Sequence, residues 1–408
     1  MTDTFDVDLG ATRVPGGTPR VVRAPGAISV LPRMVGAGRR VLVVASARAW
    51  RAVGVEGLLA GSEIALFSAF TPNPRLADVV EGARVRERWR PEVIVGIGGG
   101  SALDVAKAVR LLPADDVRAR ATLRGTGWEP SAARRPPLVL VPTTAGTGAE
   151  VTRFATVFDG HTKLSLDHPA VLADVALVDP DLAATCPAGL VGSCAFDALC
   201  HAVESWWSRR STPRSREFAR EALDALVPLL LRPPTAADAA CASSVVAGAD
   251  ADGGADADGG AARRAALAAA ALAAGRAIDL TRTTAAHAFA YGLTTRYGVP
   301  HGVACLLNLQ WLLTHHLAVA RRPGTAPEFA ACLAAVDELL GRGQREPADH
   351  LGDAFARYGW SPRLRDYGVG PDALTALVSA GLGSRARAGN NPVDLDPDDA
   401  LRGLRTIL

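Results

Sequence analysis

Three short, unbroken apolar runs punctuate the first half of the chain: residues 40–45 (RVLVVA), 92–97 (EVIVGI) and 137–141 (PLVLV). Runs of this length, rich in Val and Ile and without polar alternation, predict strands buried on both faces. Between the first two, residues 75–90 mix polar and apolar positions, and after the second, residues 102–112 carry helical spacing directly behind a glycine cluster. Strand, turn and helix in repeated succession predict a parallel α/β sheet. After Pro187 the pattern changes to long Ala/Leu-rich segments with helical spacing, at 192–207, 214–231, 261–291 and 302–318. The chain therefore reads as an α/β domain over residues 1–183 and an all-α domain over 184–408, divided near the turn Asp179-Pro180-Asp181.

Composition narrows the function classes. A chain of 408 residues has room for two to three domains and a large core. With 44 Lys+Arg against 42 Asp+Glu it lacks the clustered basic excess of a nucleic-acid or anionic-membrane binder. The six cysteines form no C-x-x-C pair, and the N-terminus does not pair a charged segment with an apolar one, so a reducing, cytoplasmic location is expected. The longest Ala/Leu stretch, 265–274, falls short of the roughly 20 residues a membrane span requires, and no transmembrane helix is expected. Residues 249–260 (ADADGGADADGG) are acidic, Gly-rich and repetitive, which predicts a loop between two helices. Their Asp spacing lacks the closing Glu of a calcium-binding loop.

Two turns in the first half suit phosphate. Gly98, Gly99, Gly100 and Ser101 follow a predicted strand and open the helix that carries Asp104 and Lys107. Glycines let backbone N–H groups approach a diphosphate, and the helix N-terminus adds partial positive charge; the same glycines also suit simple close packing. A second turn, Pro142-Thr143-Thr144-Ala145-Gly146-Thr147-Gly148, follows the next strand. Ligands of open α/β sheets bind outside the carboxyl ends of the strands, so two such turns at neighbouring strand ends point to a nucleotide.

The second half holds a candidate metal set. Asp197 and His201 are four residues apart in a helical segment and share one face. His287 and Tyr291 have the same spacing, and His301 follows in the turn Val299-Pro300-His301-Gly302. One carboxylate and three imidazoles suit a divalent transition metal such as iron(II) or zinc. His161, His168, His315, His316 and His350 lack such partners and read as surface or capping residues.

Taken together, GGGSALDVAK (98–107), PTTAGTGAEVTRFATVFD (142–159) with Lys163 beyond it, ALVDPDL (176–182), FDALCHAVES (196–205) and HAFAYGLTTRYGVPHG (287–302) resemble the iron-containing (group III) alcohol dehydrogenases. The resemblance runs from about residue 24 to Asn390-Asn391-Pro392. It implies a Rossmann-like dinucleotide-binding α/β domain, a helical metal-binding domain and a cleft where a metal, Fe2+ or Zn2+, polarises the substrate oxygen. It further implies that Asp197, His201, His287 and His301 ligate the metal, that Gly98 to Ser101 hold the NAD(P) diphosphate beside Asp104, that Thr143, Thr144 and Thr147 border the nicotinamide half, and that Lys163 reaches the ribose. Members of the family tend to dimerise through N-terminal strands, so a homodimer is expected, with residues 20–33 supplying a strand. The dehydroquinate-synthase-like lyases share this architecture but use a Glu/His/His set, and the Asp197/His201 spacing with PTTAGTGAE favours the dehydrogenase.

Departures from the family pattern bear on the substrate. Tyr291 stands where a second His often relays protons, so a phenol, the cofactor ribose or water takes that role. Ser46 stands where an acid excludes a 2′-phosphate, with Arg48 close by, so NADPH is admitted beside NADH. The string 275–302 is most similar to a branch that includes phosphonoacetaldehyde reductases, sugar-acid oxidases and dehydrogenases acting on a peptide's C-terminal threonine. All of these substrates are anionic, and Arg153, Arg282 and Arg296 lie beside the motifs as candidate anion clamps.

Overall fold

The three apolar runs become the middle of a six-stranded, all-parallel sheet of order β1-β8-β5-β4-β2-β3. Its strands are β1 (Arg20–Arg23), β2 (Arg40–Ala45), β3 (Glu63–Phe67), β4 (Val93–Gly98), β5 (Leu138–Pro142) and β8 (Val175–Val178). The structure, a computed structural model, describes residues 18–126, 135–160, 162–231 and 257–408. Alternation explains why the runs are apolar throughout. Leu42, Val44 and Ile94 face one apolar layer with the helices Leu76–Trp89 and Gly100–Leu111, whereas Val41, Val43, Val93 and Val95 face the opposite layer with Leu31, Val55 and Leu59.

The chain leaves β2 for the edge strand β3 and then crosses back past β2 to β4, so the strand order reverses between β2 and β4. Ala45 pairs with Ile97 in that register, which sets Ser46 and Gly98 side by side at the carboxyl ends. A reversal of this kind opens a crevice that binds dinucleotides. The N-terminal segment 20–23 lies within this sheet, paired with β8.

A two-stranded antiparallel hairpin, β6 (Phe154–Asp159) with β7 (Thr162–Asp167), packs beside the sheet. It is tied to the Gly100–Leu111 helix by Lys107, whose buried ammonium donates to Thr152 Oγ1 at 3.0 Å and to the Phe154 carbonyl at 2.9 Å.

The chain forms two compact units, Met1–Thr185 and Cys186–Leu408. The second is helical. Its core helix His301–Ala320 is long and apolar enough to cross a membrane by length and composition, and 72% of its most apolar window is buried inside the protein. A buried core helix passes the same test, and the apolar length here comes from Leu, Val, Ala and Trp residues packed in a core.

Three expectations change. The segment 261–291 is not one helix: Ala257–Thr281 ends at Arg282, which takes a left-handed φ of 63°, and a new helix runs Ala285–Tyr297. The turn read around His301 is a helix start, with Pro300 as its cap. His316 and His350, read as surface or capping residues, are buried, at 0% and 4% exposure, with His350 Nε2 2.7 Å from the Leu340 carbonyl at the end of the Pro327–Leu339 helix. His168 does cap, its Nδ1 accepting from Ala170 N. His161 and residues 249–256 of the acidic repeat lie outside the described residues.

Candidate metal and cofactor sites

The helix break builds the metal-type site. Starting a new helix at Ala285 leaves its first amides without intrahelical partners, and the fully buried Glu204 supplies the missing acceptor from the Ala188–Trp207 helix. Glu204 Oε1 accepts from Thr284 N at 3.1 Å, Thr284 Oγ1 at 2.7 Å and Ala286 N at 2.8 Å. Its Oε2 meets His287 Nδ1 in a short contact. That contact commits Nδ1, so His287 presents Nε2 to Asp197 Oδ1, 3.1 Å away.

Two other imidazoles reach the same oxygen. His201 Nε2 lies 3.5 Å and His301 Nε2 3.9 Å from Asp197 Oδ1. The His201 and His287 rings stack at 4.6 Å, and His301 stands across His287 at 5.4 Å and 70°. Close helix crossing allows this: a Cβ on Gly302 would lie 1.8 Å from the Ser193 carbonyl oxygen, so only glycine lets the His301 helix lie against the Asp197 helix. His301 is 34% exposed while the other three are nearly buried, so the set has one open side.

The donor set fits a divalent cation. Tetrahedral ligands at about 2.1 Å from an ion stand about 3.4 Å apart, the range of separations seen around Asp197. Burial pushes the Asp197 carboxyl up, but His201, the hydrogen bond from His287 and the charge of His301 together hold it below the ordinary carboxylate range. Burial likewise lowers the His287 imidazole, and Glu204 and Asp197 outweigh it, raising it to about 9. The two carboxylates thus favour positive charge beside them, which without a metal is the proton on His287 and which a bound divalent cation would supply in its place.

Sequence reasoning missed three participants. Glu204 orients His287, the carboxylate–histidine arrangement common behind metal ligands. Cys305, four residues beyond His301 on the same helix face, places its Sγ 3.7 Å from His301 Nε2 and within 4.8 Å of the Asp197 and His287 donor atoms. Its i, i+4 spacing from His301 was a legible clue. Arg387 lies over the Tyr291 ring, 5.1 Å from its centroid, and Tyr291 in turn stacks on His301 at 5.5 Å and 13°. Burial raises the Tyr291 phenol, with Arg387 opposing, so the hydroxyl stays protonated.

In the first unit the two predicted turns touch. Thr143 N donates to the Gly98 carbonyl at 2.9 Å. Gly98 has φ 147° and leaves 2.8 Å between a notional Cβ and Ala102, while a Cβ on Gly100 would strike Thr147 at 2.7 Å and one on Gly99 would meet Thr144 at 3.4 Å. Close packing therefore demands glycine at 98 and 100, and the same bareness leaves the helix N-terminus at Gly100 open to a diphosphate. Ser101 Oγ accepts from Asn73 N at 3.4 Å, and Ser46 caps its helix by accepting from Ala49 N at 3.1 Å. Arg48, beside it, donates to the Thr185 carbonyl. Asp104 turns inward: it accepts from Thr156 N at 2.9 Å and stands 3.7 Å from Lys107 Nζ, with the charge of Lys163 on β7 nearby.

Of the candidate arginines, Arg153 lies in the first unit, while in the second Arg282 donates to the Asp279 carbonyl of its own helix and Arg296 is exposed in the last turn of the His287 helix.

Comparison with known proteins identifies the family. A profile described as iron-containing alcohol dehydrogenase matches residues 18–180, and one for the C-terminal region of the same family matches 193–408. The chain is similar to a phosphonoacetaldehyde reductase of Streptomyces viridochromogenes, 38% identical over 246 residues that cover 58% of this chain and 56% of that protein. The match thus spans little more than half of that relative's length. A 1-propanol dehydrogenase of Salmonella typhimurium is 28% identical over 296 residues, covering 69% of this chain and 70% of that one. The crystal structure of a 1,3-propanediol oxidoreductase superposes with a TM-score of 0.75 at 27% identity, covering 96% of this chain and 98% of that one.

Proposed function

The chain belongs to the iron-containing alcohol dehydrogenase family, and from that premise we propose that it interconverts an alcohol and a carbonyl compound with NAD(P)H, its substrate being a small anionic aldehyde such as phosphonoacetaldehyde. The observation that carries the reaction class is the convergence of three imidazoles on the buried Asp197 carboxylate, open on the His301 side. Similarity to a phosphonoacetaldehyde reductase supports the substrate.

In this reading Asp197, His201, His287 and His301 hold a divalent ion, Fe2+ or Zn2+. When bound, the ion supplies Lewis acidity to the substrate oxygen and the nicotinamide supplies or accepts the hydride. The chain's own residues do the rest. Glu204 fixes the His287 tautomer and ring. Tyr291 holds a proton at Oη beside His301, where it is suited to donate to an oxygen gaining negative charge. Gly98 to Ser101 receive the diphosphate at the helix N-terminus, Thr143, Thr144 and Thr147 line the neighbouring turn, and Lys163 with Ser46 faces the ribose half. Asp104 acts from behind, anchoring the hairpin that carries Lys163. The division at residues 183 and 184 then separates the cofactor-binding from the metal-binding part of the chain.

An anaerobic assay with iron(II) or zinc restored tests the proposal, following NADH and NADPH absorbance against phosphonoacetaldehyde and neutral aldehydes. The expected kcat/KM for phosphonoacetaldehyde is at least about tenfold that for propionaldehyde, about 1.4 kcal/mol of discrimination. Equal turnover of the two, or no turnover of either by protein that holds metal and cofactor, would contradict it.

A further inference from the structure

A substrate anion at the open side of the Asp197 set needs a cation within reach, and the two arginines of this unit singled out in the sequence are otherwise placed. Arg282 is engaged with the backbone of its own helix and Arg296 points to solvent. Arg387 is placed differently. Its guanidinium lies against Tyr291, and that ring stacks on His301, the most exposed member of the metal-type set.

Three observations mark Arg387 as unfinished by the protein itself. Among the described residues it forms no ion pair, and its Nε is buried without a hydrogen-bond partner. A partly desolvated cation with no counter-charge is costly unless a ligand completes it. Its only described attraction is to the Tyr291 face, a cation–π contact that leaves the planar fork of donors unspent.

The backbone around it is also fixed to the site. Arg387 sits on the short helix Arg385–Ala388, and the buried Asn390 just beyond donates to the carbonyls of Thr281 at 2.9 Å and Thr283 at 3.1 Å while accepting from Ser208 Oγ at 3.0 Å. Those carbonyls belong to the helix break that sets His287. The segment bearing Arg387 is thereby held in register with the imidazoles, as a recognition group must be to discriminate between substrates.

We propose that Arg387 is the specificity-determining residue that binds the substrate's anionic group, a phosphonate or another terminal oxyanion, through charge-assisted hydrogen bonds while the carbonyl faces the Asp197 set. The assignment rests on the anionic-aldehyde reading given above. A guanidinium fork matches two oxygens of one oxyanion, whereas a lysine ammonium acts as a point charge.

The test compares wild type, Arg387→Gln and Arg387→Lys, each checked for metal content, using phosphonoacetaldehyde, succinic semialdehyde and propionaldehyde. Ethylphosphonate binding, measured by calorimetry on metal-loaded protein, gives a readout independent of turnover. In Arg387→Gln the ratio of kcat/KM for phosphonoacetaldehyde over propionaldehyde is expected to fall about 30-fold, mainly through KM, and ethylphosphonate affinity to fall about as much. Arg387→Lys is expected to recover part of both. A parallel loss for succinic semialdehyde identifies a general oxyanion site, and its absence a site selective for phosphonate; either supports the assignment. Equal losses for charged and neutral aldehydes, or an unchanged ethylphosphonate affinity, overturn it. If wild type itself shows no preference for the anionic aldehydes and does not bind ethylphosphonate, the substrate reading falls. If that preference is present and survives in Arg387→Gln, only the role of Arg387 falls.

Discussion

A buried carboxylate is expensive unless its lone pairs find donors, and Glu204 finds them in Thr284, Ala286 and His287. The same accounting separates two buried histidines. His287 sits between two carboxylates and is raised to about 9. His316 is fully buried with no carboxylate; burial first, then the neighbouring His315, pushes it down to about 3. Its Nε2 accepts from Asn391 Nδ2 at 3.0 Å, a bond that only the neutral, Nδ1-protonated ring can receive. In the unfolded chain this imidazole titrates near 6.5. On acidification the unfolded state therefore binds the proton first, so the stability His316 contributes is complete above about pH 6.5 and is lost as pH falls from there toward 3. Between pH 7 and 5 the loss amounts to about 2 kcal/mol. Urea midpoints at the two pH values should drop for wild type and drop distinctly less for His316→Gln; the same drop in both would show that His316 does not titrate in this way.

Among elements, the decisive contact is the crossing of the His301–Ala320 and Ala188–Trp207 helices at Gly302. An added methyl there meets backbone at 1.8 Å, which cannot be relieved by a side-chain rotation. Gly302→Ala should destabilise the protein by about 3 kcal/mol or more and lower metal content, because any relief moves His301 away from Asp197. A thermal midpoint and metal content equal to wild type would show that the helices separate without cost to the site. Elements differed in how legible they were. Strands β2, β4 and β5 were plain because burial on two faces leaves only apolar residues. The hairpin β6–β7 was not, because strands such as TKLSLD are half polar and, apart from one bridge between Phe158 and Arg75, pair with each other rather than with the sheet. The break at Arg282 was invisible because IDLTRTTAAHAF contains neither Gly nor Pro; it is imposed by Glu204 from another helix and by Asn390.

At the scale of the whole molecule, the two-part plan and the sheet's nucleotide-type strand ends could be read from periodicity and glycine placement, since both depend on short-range pattern. Asp197 and His201 were legible for the same reason, being one turn apart. Glu204 and Arg387 escaped because their contacts depend on which helices meet, and nothing local to FDALCHAVES or SRARAGNNP announces a partner, whereas Cys305 left a local clue in its spacing from His301. The central claim is that Asp197, His201, His287 and His301 form one metal centre. Metal analysis of anaerobically purified wild type beside His287→Ala, both reconstituted with iron(II) or zinc and desalted, tests it most directly. The account predicts about one ion per chain in the wild type and a small fraction of that in the variant, with the helical content unchanged. Equal metal content in the two proteins would contradict it.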